Sequence, residues 1–299
     1  MVNAEKKVSL LQGTIDYGIL HLASAPIAIM AKEGLRTFAG VTGDDPSNTR
    51  NAGMSFVVLL SVFAESKLLG RIIVGTVGPC EHYFIDIDRE VAEQGWQDIA
   101  SFCVAHRVPS QYINEDRFVN IPVMHSHKDF TMYRTVVQYG VDSGALGSVT
   151  YETPPNFNMA GANPSFLSFS NKIYIHPDSD SYLVFLNYSV SPDYTKTSNA
   201  SLMLYTLGGV CVSQLSITVP ALDCACVRIS DILPDGSENF FSFVAVSSGS
   251  ALLPISIIVN RRLGGVSVEH SHPPQEYLFA DWPVVKRIKT EAVNTISGR

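Results

Sequence analysis

The chain has 299 residues, 46% of them hydrophobic and 16% charged, with a net charge of −7. That length favours two domains, each large enough to bury a core unaided, and the apolar content excludes a disordered chain. The negative balance, with Lys286, Arg287 and Lys289 as a short basic group near the end, argues against nucleic acid as a partner and against an anionic membrane surface.

Along the chain the dominant pattern is the short β-run. Gly18 to Ala31 follows Lys6 and Lys7 and is fairly apolar, but His21 and Pro26 interrupt it, so it reads as early strands and not as a leader. Ser55–Phe63, Arg71–Val74 and Tyr83–Asp88 are rich in β-branched and aromatic residues and read as strands. Asp88 to Gly95 is the one helix expected, with Asp88 as its N-cap. Ser101–Ala105 and Met132–Tyr139 follow as strands, the latter with Arg134 on one face, ready to pair with a carboxylate. Glu152–Pro164 is dense in Pro, Gly and Asn and reads as a linker, dividing the chain into domains 1–160 and 161–299. The second half brings Ser181–Leu186, Ser201–Tyr205, Gln214–Val219, Cys226–Ile229, Phe240–Val246 and Pro254–Asn260, with turns at Leu207–Gly209 and Pro234–Gly236. No run of 18 apolar residues occurs, so no transmembrane helix is expected.

The halves resemble each other. Asp88, Ser101 and His125 have counterparts in Asp231, Ser242 and His270, at offsets of 143, 141 and 145. The expected fold is all-β: two tandem, related, antiparallel β-sandwiches with very little helix.

The second half carries a further likeness. Leu183–Asn187, Leu202–Tyr205, Leu215–Pro220, Val227–Leu233 and Phe241–Val246 resemble the bacterial sensory rhodopsin transducer-like β-sandwich over about residues 181–260. The resemblance implies a small soluble sandwich that oligomerises and acts as a binding or signalling module.

Candidate chemistry centres on two His-Ser-His triplets. Residues i and i+2 of a strand share a face, so His125 with His127, and His270 with His272, can each point at one ion. A site joining the two halves would add Glu276 as a further ligand or base, with Asp129 and Glu269 nearby in sequence, and would suit a divalent transition metal such as zinc or iron. Gly264, His270, His272 and Glu276 also fit the spacing of the first cupin metal motif, but Pro283 stands where that motif needs its closing glycine. Cys103 with His106 has a nucleophile–base composition, though an apolar strand favours an inert thiol. Asp86 and Asp88 would share a strand face, and Asp178-Ser-Asp180 reads as a turn and not a calcium loop. The five cysteines, Cys80, Cys103, Cys211, Cys224 and Cys226, are odd in number and scattered, which suits free thiols in the cytoplasm. Cys224 and Cys226 would share a strand face.

The functional expectation is a non-enzymatic binding or interaction protein that forms homo-oligomers, with a protein or small molecule as ligand. The alternative is a metal-dependent enzyme built on the four histidines. The low charge fraction beside 15 Phe and 12 Tyr motivates the first reading.

Overall fold

The computed structural model describes residues 23–43, 55–110, 135–142, 144–150, 165–188, 195–234, 239–248 and 252–270, together with the helical residues 287, 290, 291 and 294. Among the described residues the fold is nearly all β, as its alternating and β-branched runs require, and it includes the short helix α1 (Ile87–Ala92). Close contacts gather the chain into two compact units. Unit 1 comprises Met1–Tyr139, Val149–Pro155 and Ser189–Tyr194, and unit 2 comprises Gly140–Ser148, Asn156–Tyr188 and Thr195–Arg299.

The first eight strands are β1 (Ala23–Ala28), β2 (Arg36–Thr42), β3 (Phe56–Ala64), β4 (Lys67–Val77), β5 (His82–Asp86), β6 (Phe102–Pro109), β7 (Val136–Gly140) and β8 (Leu146–Thr150). They form two four-stranded sheets in the orders β1-β6-β3-β4 and β5-β2-β7-β8. β3 is apolar on both faces and buried from Phe56 to Phe63, which fits its place between β4 and β6. Pro26 is accommodated because β1 lies at a sheet edge, where a missing N–H breaks no inner ladder. β3 and β4 are joined by Glu65 and Ser66, both at positive φ (47° and 66°), as a tight two-residue hairpin demands.

The remaining strands are β9 (Ser165–Ile175), β10 (Ser179–Asn187), β11 (Ser198–Thr206), β12 (Cys211–Val219), β13 (Asp223–Arg228), β14 (Asn239–Ser248), β15 (Leu253–Asn260) and β16 (Gly265–His270). Their sheets run β12-β11-β14-β9 and β13-β10-β15-β16. Adding eight to every strand number of the first two sheets reproduces these two. The core of unit 2 takes Ile173, Leu202, Leu204 and Phe243 from one sheet and Leu183, Phe185 and Val227 from the other, which makes it a sandwich.

The correspondence extends to single residues. Leu60 lies between Ala105 and Ile72, and Leu202 lies between Ala245 and Leu215. Phe38 is opposite Asp86, and Tyr182 is opposite Arg228. Two residues before each aromatic stands a charge: Arg36 pairs with Asp86, and Asp180 pairs with Arg228. The ion pair is therefore conserved in place and reversed in polarity. A second exchange occurs where β4 approaches β5. Tyr83 packs its ring over Gly75 and donates its hydroxyl proton to the Val74 carbonyl, and the matching register positions in unit 2 hold Ala225 and Ile217.

The expected strand Tyr83–Asp88 stops two residues early. Asp86 is the N-cap of α1 and accepts the Arg89 N–H at 3.2 Å, so Asp88 is inside the helix and is not its cap. Asp86 and Asp88 accordingly do not share a strand face. Asp86 binds Arg36, and Asp88 accepts the Thr37 N–H at 2.7 Å. Both carboxylates hold the start of β2.

Candidate functional site

Unit 2 gathers exposed apolar side chains at one end of its sandwich. The register locates that end. Thr206 is opposite Phe241, Phe240 is opposite Tyr174, and Asn239 is opposite Ile175. His176 bridges to Ser179, Ser179 is opposite Asn260, and Asn260 is opposite Gly265. This continuous row places the β11–β12 hairpin, the start of β14, the β9–β10 turn and the β15–β16 hairpin on one rim.

Along it Leu207 is 48% exposed, Val210 62%, Phe240 45% and Leu263 75%. The β11–β12 turn is built by the Thr206 N–H bonded to the Val210 carbonyl at 2.9 Å and by Gly209 at φ 77°. A glycine is required at that positive φ, but nothing in the turn requires leucine or valine beside it. The equivalent hairpin of unit 1 turns on Glu65 and Ser66.

The rest of the rim is held by polar bonds. Tyr174 meets Phe240 at a tilt of 34°, with ring centroids 4.5 Å apart, and lies nearly parallel to His176 at 6.0 Å. The buried Ser181 hydroxyl accepts the Tyr174 N–H at 2.9 Å and donates to the Tyr174 carbonyl at 2.8 Å. Arg262 pairs with Asp178 at 2.9 Å, Arg261 donates to the Tyr182 hydroxyl at 2.9 Å, and Asn260 donates to Ser179 at 2.8 Å. The two arginines are thus engaged with neighbours, and the rim offers apolar surface more than charge.

Of the residues singled out as metal ligands, His270 closes the edge strand β16 opposite Ile255 and is half-buried, with Glu269 beside it. His125, His127, His272 and Glu276 lie outside the described residues, as do Asp129 and Arg134. Among the described residues, no three His, Cys, Asp or Glu side chains come together in a way that could hold a metal ion. Gly264, the first residue of the cupin-like spacing, sits in the β15–β16 turn at φ 65°, a structural reason for glycine there.

Cys103 and His106 lie three residues apart on an unbroken strand, so they project from opposite faces and cannot act as a nucleophile–base pair. Both are buried. Desolvation first, and then the Asp88 carboxylate, push the Cys103 thiol far above its ordinary value, which leaves it an inert core group. His106 is held neutral: burial, helped by the Arg71 cation, pulls its pKa down to about 3. Its Nε2 is 3.2 Å from the buried Ser61 hydroxyl. Of the expected turn Asp178-Ser-Asp180, Asp178 is in the β9–β10 turn and Asp180 is already in β10. Asp178 takes Arg262, and Asp180 takes Arg228 and the Ser230 hydroxyl. Cys224 and Cys226 share a face of the edge strand β13, the first half-buried and the second exposed.

Sequence reasoning recognised the Leu207–Gly209 turn but not the rim. The signal present was bulky apolar residues flanking a glycine turn, in Leu207-Gly-Gly-Val210 and in Leu263-Gly264.

No family model matches this chain, and no curated protein does. Among solved structures, a glycosyl hydrolase family 2 member from Bacteroides cellulosilyticus is 10% identical with a TM-score of 0.19, over 88% of this chain and 29% of that one. The β-glucuronidase 2 of Bacteroides uniformis is 11% identical with a TM-score of 0.18, over 83% of this chain and 25% of that one. The chain spans less than a third of these enzymes, and likeness at this level carries no argument about what it does.

Proposed function

We propose that this is a non-enzymatic interaction protein, two sandwiches related by duplication, whose copies associate with one another through unit 2. The observation that carries the reading is the contrast between matching places. Where unit 1 turns its β3–β4 hairpin on Glu65 and Ser66, with Leu68 beyond it 38% exposed, unit 2 exposes Leu207 to 48% and Val210 to 62% in the turn itself. Exposed leucine and valine at a hairpin tip give nothing to the fold that Glu and Ser do not give, and apolar area removed from water is worth about 25 cal/mol per Å². Their retention fits a surface that is covered in an assembly.

Sedimentation velocity from low to high micromolar protein tests the reading. The wild-type chain is expected to associate with rising concentration. A chain carrying Leu207→Ser, Val210→Ser and Leu263→Ser is expected to associate more weakly while keeping its far-ultraviolet spectrum. A wild-type chain that stays monomeric throughout is the result against self-association.

A further inference from the structure

We propose that the contact between copies is made by β12, which adds edge to edge and antiparallel to β12 of a second chain about a twofold axis at Leu215. The inference rests on the association reading above and adds to the rim an edge contact along β12, the strand that leaves the Leu207–Val210 turn.

β12 is the last strand of its sheet, and among the described residues it pairs only with β11. An edge strand leaves alternate N–H and C=O groups without a ladder partner, and natural sheets guard such edges with charges, prolines, bulges or glycine kinks. Unit 1 shows the guarded form at the same topological place. β4 carries Lys67 and Arg71, is interrupted by Gly70 and Gly75, meets β3 across two register shifts, and has its Val74 carbonyl taken by the Tyr83 hydroxyl. β12 is guarded only at its Tyr205 end, where the register shifts and the Cys211 thiol donates to the Ser213 carbonyl at 3.5 Å. Its nine residues, Cys-Val-Ser-Gln-Leu-Ser-Ile-Thr-Val, include no charge, proline or glycine, and its one irregularity lies at the end near Tyr205.

The strand also suits its own copy. Antiparallel pairing about Leu215 sets Gln214 opposite the partner's Ser216 on the exposed face, while Val212, the extra residue at the register shift, packs toward the core. The other face sets Leu215 against its own copy and Ser213 against the partner's Ile217. A twofold repeats every charge it brings near the axis, so a neutral strand meets itself without like-charge repulsion. Leu215 and Ile217 pack against the core yet remain only half-buried, and an added strand would cover them. Two polar side chains of β12 reach across to β11. Gln214 donates to Ser201 at 3.4 Å, and Thr218 donates to Asn199 at 2.8 Å. The product would be one sheet of eight strands running through both copies.

The test compares the full chain with a Gln214→Lys/Ser216→Lys variant and with Thr76→Lys, which places a single lysine at an exposed position of the guarded edge β4. Both lysine sites in β12 are exposed, so circular dichroism and thermal melting should match the wild type. Expected are a self-association at least about tenfold weaker for the double variant, since about 1.4 kcal/mol of repulsion is tenfold in affinity, and no change for Thr76→Lys. In hydrogen exchange, the β12 amides of the wild type should slow as protein concentration rises. If the wild type associates but the double variant does so equally, or the β12 amides ignore concentration, the β12 contact is overturned and association through another surface of unit 2 stands. If the wild type never associates, both fall.

Discussion

His106 is the residue whose chemistry most constrains the molecule. A histidine with its pKa depressed to about 3 in the folded state, and near 6.5 when unfolded, binds more protons after unfolding. Its contribution to stability is therefore complete above about pH 6.5 and is lost as pH falls from there toward 3. Between pH 6.5 and 4.5 the loss attributable to this group is about 2–3 kcal/mol. Urea unfolding of wild type and His106→Gln at pH 7.5 and pH 4.5 should give a smaller acid loss in the variant by that amount, while the variant is already weaker at pH 7.5. Asp180 makes a second prediction. Its carboxylate is nearly buried and receives Arg228, the Ser230 hydroxyl and the Ser181 N–H. Asp180→Ala leaves these donors without their acceptor and should cost about 2–3 kcal/mol in chemical unfolding. The Arg36 end of the matching pair is 40% exposed, so Arg36→Ala should cost about 1 kcal/mol or less beyond its lost packing on Phe38.

At the scale of elements, the closure of unit 1 between β4 and β5 depends on a missing side chain. A Cβ at Gly75 would lie 2.4 Å from the Tyr83 ring, so Gly75→Ala must displace that ring and its bond to Val74. A cost of about 1–3 kcal/mol in thermal or urea unfolding is expected. This pairing was not legible in the sequence, because Gly75 and Tyr83 acquire meaning only through register. What was legible are the strands whose apolar runs are long: β3, β10 and β15 lie close to their expected limits. β2 was missed because Arg-Thr-Phe-Ala-Gly-Val-Thr is short and diluted by Ala and Gly, and its burial comes from partners distant in sequence. The end of β5 was misread because Ile-Asp-Ile-Asp alternates like a strand. The capping bond of Asp86 to Arg89, which ends the strand, is invisible to a pattern of period two. The rim of unit 2 was hidden for a similar reason. Leu207 and Leu263 look like any apolar residues until the hairpins carry them outward, and four of the five proposed metal ligands lie outside the described residues.

For the molecule as a whole, repetition of one strand order in two units raises a hazard that the ion pairs answer. Strands of matching shape and register within one chain invite exchange while it folds, which is a known failure of multidomain proteins. Were β13 to seat itself beside β2, the Arg36 and Arg228 guanidiniums would meet. Were β5 to seat itself beside β10, Asp86 and Asp180 would meet. Opposite polarity thus acts as a key that lets each strand fit its own lock. Rewriting Arg36→Asp with Asp86→Arg gives both sandwiches the same polarity without removing either bridge. Such a chain also loses the Asp86 cap of α1 and the Arg36 packing on Phe38, so it should be about 1–2 kcal/mol less stable. Compared with a similarly weakened chain such as Gly75→Ala, it should refold from urea with a lower yield of native protein and more soluble misassembled chain on size exclusion.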